Sequence, residues 1–139
     1  MRREAGFSYA WTAMLLMFLL VPLMWMGIQI GRLQAARGEL QKAADAAAEA
    51  AAAMVDIERF KATGGVAFAG DVFAVAQRYA LANAAYLTAR GVFPRVSAIV
   101  PDNATRTVRV VVEADVSPLL GLFGRVRAEG TSQVRSSVR

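Results

Sequence analysis

Asp45 and Glu49 stand four residues apart in the run "AADAAAEAAAA" (residues 43–53). That spacing sets two carboxylates on one helix face, where such a pair can divide general acid from general base or grip a cation. Asp102, Glu113 and Asp115 form a second set that could serve a hard cation with oxygen ligands. Nothing beside them strengthens either reading. The 139 residues include no histidine and no cysteine, so the commonest general base and every thiolate are missing. Methyl groups surround Asp45 and Glu49, which read as solvating charges on a wet helix face. The chain is expected to be structural rather than enzymatic, with no catalytic residue, no metal and no cofactor.

The elements that carry these carboxylates are easier to read. A mean hydropathy of +0.38 beside 19% charged residues requires an uneven distribution. The oily part is Phe7 to Ile30, "FSYAWTAMLLMFLLVPLMWMGIQI", which carries no charge. At about 1.5 Å per residue it covers the roughly 30 Å hydrocarbon core of a bilayer. Tyr9, Trp11 and Trp25 lie toward its ends, where amphipathic rings favour the interface. A chain this small offers nothing to bury such a helix, so it is expected to span a membrane. A cleaved secretory signal fits less well, because the apolar run is longer and Gly31-Arg32-Leu33 offers no small-residue cleavage pattern. Arg2 and Arg3 on one side nearly balance Arg32 and Arg37 on the other. The short amino-terminal stub favours an N-in orientation across a cytoplasmic (inner) membrane, with the remainder outside the cytoplasm. Pro22 removes one amide donor mid-span and is expected to kink the helix.

No proline follows until Pro94, and the first glycine-rich break is Gly64-Gly65. One helix is therefore expected from about Ala5 to about Phe60. Its outer half carries a heptad stripe, with Leu33, Leu40, Ala47 and Met54 in one series and Ala36, Ala43, Ala50 and Ile57 in the other. The charges avoid both series. A seam built largely of methyl groups lets a partner helix or sheet approach closely, and it needs something to lie against.

The Arg2-Arg3 stub, Gly6, the apolar span ending in Gly31-Arg32, and "GRLQAARGELQKAADAAAEAAA" (residues 31–52) together resemble TadE/TadG-like proteins of the Flp (Tad) pilus-assembly system. Leu40-Gln41 and Ala43-Ala44-Asp45-Ala46-Ala47 match the family's run most closely, and the likeness extends to about Val55. It implies a pilin-like pseudopilin whose partners are membrane lipid, other pilin-like or pilus-assembly subunits and a prepilin peptidase. Gly6-Phe7 resembles that peptidase's cleavage site. One position departs from the pattern: Trp11 stands where pilin-like relatives carry a glutamate, which weighs against processing and deep filament insertion.

Beyond residue 60, Asp71 reads as an N-cap and Gly91 as the residue after a helix end, with Val72, Val75, Tyr79, Ala82 and Tyr86 marking one face between them. Strand patterns follow at Arg95–Val100, at Thr107–Asp115 and from Arg125 onward, with a turn at Pro101–Thr105. Val108, Val110, Val112, Ala114, Val126, Ala128 and Val134 should face the core. Arg109, Arg125, Arg127, Arg135 and Arg139 should line a wet face, and no aromatics interleave them to stack nucleic-acid bases, so no nucleic acid is expected. "VSPLLGLFG" (residues 116–124) is too apolar for an ordinary loop. Its Leu119, Leu120, Leu122 and Phe123 either fold under the sheet or contact membrane or a neighbouring subunit.

The expected fold is α+β: a long N-terminal transmembrane helix continuing into a pilin-like head with a second helix and a roughly three-stranded antiparallel sheet. Its parts are a cytoplasmic basic stub or leader (1–6), the transmembrane helix (7–30), an alanine-rich continuation (31–60) and a small α+β head (61–139). The expected role is a membrane-anchored pseudopilin-like component of Flp/Tad assembly or secretion machinery. The rival is a membrane-tethered extracytoplasmic binding or sensor module unrelated to pili.

Overall fold

A computed structural model describes residues 2–116 and 124–134, with side chains from residue 8 onward. The fold is α+β. Four helices, α1 (Arg2–Ala53), α2 (Ile57–Thr63), α3 (Val72–Ala82) and α4 (Ala85–Thr88), precede three strands, β1 (Arg95–Asp102), β2 (Thr107–Asp115) and β3 (Arg125–Gln133). The chain divides into two compact units, Met1–Gln34 and Ala35–Arg139, with α1 contributing to both.

The first unit is apolar helix. Its helical assignment continues through Pro22 without a break. Its large side chains are turned outward, with Phe18 82% exposed and Met24 69%. Among the described residues α1 is the one helix long and apolar enough to cross a membrane, as suits a single-pass membrane protein.

The second unit is built on the alanine stretch and the sheet. α1 stops at Ala53, several residues short of the expected end near Phe60. Long-range backbone bonds cut it there: Asp56 N–H donates to Ala67 O at 2.8 Å, Ala69 N–H to Met54 O at 2.8 Å, and Val55 bridges Phe68. Asp56 then caps α2, its carboxylate accepting from Arg59 N–H at 3.0 Å. Gly64 ends α2 in the left-handed region at φ 71°, a conformation open to glycine without strain.

Asp71 caps α3 as expected, accepting from Ala74 N–H at 3.1 Å. The face it presents differs from the expected one. Val72, Ala76 and Ala80 are buried, followed by Ala84 and Leu87, whereas Tyr79 is 45% exposed and Ala82 is exposed. The helix also breaks at Asn83 rather than continuing toward Gly91. Gly91, at φ 73°, closes the turn after α4: its N–H donates to Thr88 O and Val92 N–H to Leu87 O, the paired bonds of a Schellman ending.

The sheet is antiparallel in the order β1-β2-β3. β1 runs on through Pro101, which pairs with Val108, so the turn falls later than Pro101–Thr105. An edge strand tolerates proline because one side of its ladder needs no donor. β2 is central and the most apolar, with Val108, Val110 and Val112 fully buried. Val111, on the opposite alternation to Val110 and Val112, is nevertheless only 3% exposed. It lies in register between Ala98 and Glu129, where the stems of long charged neighbours can cover it.

Candidate functional site

Two surfaces gather the residues singled out in the sequence: the alanine face of α1 and the outer face of the sheet.

On α1, Ala36, Leu40, Ala43, Ala47 and Ala50 are buried, and Leu33 is half-buried. Met54 and Ile57 are half-buried as well, but they stand in the turn after α1 and at the start of α2, so the seven-residue series does not reach them on one helix. Ala44, Ala48 and Ala51 are fully buried too. They widen the stripe beyond a two-position seam to the breadth of a helix lying on a surface. β3 shows what that surface is. A Cβ placed on Gly130 would fall on the Ala44 carbonyl and lie 2.7 Å from Asp45 N, so strand backbone meets helix backbone here. Gln41 Nε2 donates to Glu129 O at 2.8 Å beside it and to Asp45 Oδ1 at 3.0 Å. Gly130 was not among the residues marked in the sequence. A glycine inside an alternating strand is a signal of close backbone approach and could have found it.

A second tie joins α1 to α4. Glu39 Oε2 accepts from Leu87 N–H at 2.9 Å, satisfying an amide that a helix start leaves without an intrahelical partner. Gln77 on α3 does the same for β1, donating to Pro94 O and accepting from Val96 N–H, both at 2.8 Å. Both side chains fasten backbone groups, a structural use of polar residues.

The outer sheet face is not a bare basic patch. Arg125 meets Asp115 at 3.1 Å and Glu113 at 3.5 Å, Arg127 meets Glu129 at 3.1 Å, and Arg109 meets Glu129 at 3.8 Å. Carboxylates across the ladder (for Arg125 and Arg109) and along β3 itself (for Arg127) therefore neutralise the three arginines locally. Bonding to Asp115 holds the Arg125 guanidinium even more firmly protonated than usual, with the charges of Asp115 and Glu113 adding to it. Arg135 and Arg139 lie outside the described residues.

Of the carboxylates that might have grouped for chemistry, Glu113 and Asp115 share Arg125, and Asp102 stands apart from them. Asp102 sits opposite Thr107 at the hairpin end of β2, and Glu113 lies six residues further along that strand, about 20 Å away at roughly 3.3 Å per residue. Asp102 turns inward on its own loop, accepting from Thr105 Oγ1 at 2.8 Å and from the amides of Ala104 and Thr105. Asn103, in the turn after β1, uses its Oδ1 to accept from Val66 N–H at 2.8 Å. Among the described residues no group of three or more metal-ligating side chains converges. Gly6 and Phe7 fall within the backbone run of α1. Leu119, Leu120, Leu122 and Phe123 lie outside the described residues.

No curated protein and no solved structure matches the chain. A family model does: residues 6–54, the apolar run and the alanine-rich helix together, match the putative Flp pilus-assembly TadE/G-like family, and this likeness supports a part in the assembly of Flp/Tad pili.

Proposed function

We propose that the chain is a membrane-anchored, pseudopilin-like structural component of the Flp/Tad assembly machinery, working by helix packing and by contacts of its α+β unit rather than by catalysis. The observation that carries this reading is the family match over residues 6–54. It coincides with the apolar helix and the methyl-faced stretch that follows it. In this reading the amino terminus stays in the cytoplasm and the α+β unit stands outside. Other pilin-like spans pack beside Phe7–Ile30, and Gly6-Phe7 is the site at which a prepilin peptidase would cut, with Trp11 weighing against it. Trp11 in place of an acidic residue leaves the processed amino terminus without an intramembrane counter-charge, which favours a role in the envelope machinery over one deep in a filament. The separation of Asp102 from Glu113 and Asp115 and the absence of histidine and cysteine support a non-enzymatic role.

The test joins two measurements. Amino-terminal sequencing of the protein extracted from membranes should return a chain starting at Phe7, and deletion of its gene should remove surface fibres. An intact Met1 together with normal fibres would return the chain to the class of tethered binding modules.

A further inference from the structure

The α4 turn carries features that the packing of the Ala35–Arg139 unit does not use. Phe93, just beyond α4, is 61% exposed. The Arg90 guanidinium lies 3.5 Å from the centroid of the Tyr86 ring and donates to Tyr86 O at 3.2 Å. Tyr86 also lines a shallow open cavity of about 330 Å³ with Ala35, Gly38, Glu39 and Lys42. Glu39 is the carboxylate of that group, and its Oε2 is occupied by Leu87 N–H. Neither Lys42 nor Arg90 joins an ion pair among the described residues. Between Asp71 and Asp102 the chain has three arginines, Arg78, Arg90 and Arg95, and no carboxylate. The α4 turn and its neighbour Lys42 thus combine cations outside any described ion pair, an amphipathic ring and an outward phenylalanine, the residue set that suits a bilayer interface.

Chain connectivity bounds how far this turn can stand from the end of the apolar run. Ile30 closes the apolar run, and Glu39 follows nine residues later, a tether of at most about 30 Å even when fully extended. The same tether brings Arg32 and Arg37, which add to the positive charge. We propose that the α4 turn rests on the anionic headgroup layer of the membrane, with Phe93 entering the interface and Lys42 and Arg90 paired to lipid phosphates. This inference rests on the membrane-spanning reading of α1 and adds a second, peripheral membrane contact to it.

The absence of cysteine makes the test direct, since a single introduced cysteine takes a nitroxide label uniquely. The full chain carrying Phe93→Cys is placed in vesicles of phosphatidylcholine with phosphatidylglycerol and in vesicles of phosphatidylcholine alone. Relaxation by oxygen, which concentrates in lipid, is compared with relaxation by a water-soluble nickel chelate. Thr131→Cys, on the exposed outer sheet face, gives the aqueous reference, and Leu19→Cys gives the lipid one. The oxygen-to-nickel ratio at position 93 should exceed that at 131 by about threefold in the anionic vesicles, and should fall toward it in the neutral vesicles or in the Lys42→Gln/Arg90→Gln background. A ratio equal to that at 131 in both lipids overturns the proposal, as does protection from both reagents, which would mean protein covers the patch. A high ratio that is insensitive to lipid charge overturns the preference for an anionic layer, and one that survives Lys42→Gln/Arg90→Gln overturns the pairing with phosphates. Position 19 separates the two levels: lipid there with water at 93 sinks the α4 contact alone, whereas water at 19 sinks the membrane span.

Discussion

At the scale of single residues, polar groups in this protein are spent on backbone. Glu39, Gln41, Gln77 and Asn103 each satisfy an amide or carbonyl on another element, and no buried polar side-chain atom among the described residues lacks a partner. Asp102 is the sharpest case. The Thr105 hydroxyl, then the amides of Thr105 and Ala104, hold its carboxyl below the ordinary value of 3.8. A depressed carboxyl favours the folded hairpin only while ionised. Its contribution is therefore complete above the ordinary value and disappears as pH falls through the folded-state value. Thr105→Val removes the largest cause. The Asp102 titration, followed by carboxyl-carbon NMR across acid pH, should move up toward the ordinary range. An unmoved midpoint would show that the loop amides alone hold the charge.

Among the elements, the decisive contact is α1 on β3 at Gly130. A glycine inside a strand ordinarily costs about 0.5–1 kcal/mol relative to alanine, so Gly130→Ala has a local gain to offer. Against it stands a Cβ driven into the Ala44 carbonyl. Helix backbone cannot rotate aside as a flexible side chain can, and overpacking of this kind costs about 1–3 kcal/mol. The clash should win, and Gly130→Ala should lower the urea midpoint of the far-UV circular dichroism transition; a higher midpoint would mean that helix and strand are less closely packed than this. The same contact marks where the sequence was legible. α3's start at its capping Asp71 and the alternation of β2 and β3 came out of local patterns, because period and capping depend on neighbours within a turn or a strand. The end of α1 did not. Val55 and Asp56 give no stop signal by themselves, and the break is made by bonds to Ala67 and Phe68 in a loop a dozen residues away. Tyr79 misled for a related reason: its three-and-four spacing with Val72, Val75, Ala82 and Tyr86 suggested the core face, whereas the close fit selected Ala76 and Ala80. On the outer sheet face the alternation located Arg109, Arg125 and Arg127. Part of their neutralisation depended on register, which places Asp115 opposite Arg125, whereas Arg127 pairs with Glu129 two residues along its own strand.

On the scale of the whole molecule, two different solvents stabilise the two units. Inside a bilayer an apolar helix keeps its backbone bonds because no water competes for them, and urea has little access to it. The Ala35–Arg139 unit depends on burying methyl and valine side chains from water, an advantage that urea weakens by solvating both apolar and peptide groups. The distribution of fluorophores separates the responses without any mutation. Both tryptophans, Trp11 and Trp25, lie with Tyr9 in the Met1–Gln34 unit, while the other two tyrosines, Tyr79 and Tyr86, lie in the Ala35–Arg139 unit, which has no tryptophan. In vesicles, urea should therefore drive a cooperative loss of β-sheet and tyrosine signals while the tryptophan emission maximum stays blue and unchanged. A red shift of tryptophan emission in step with the circular dichroism transition would mean that the apolar helix unfolds with the α+β unit. That result would remove the independent lipid anchor on which a membrane-held assembly component depends.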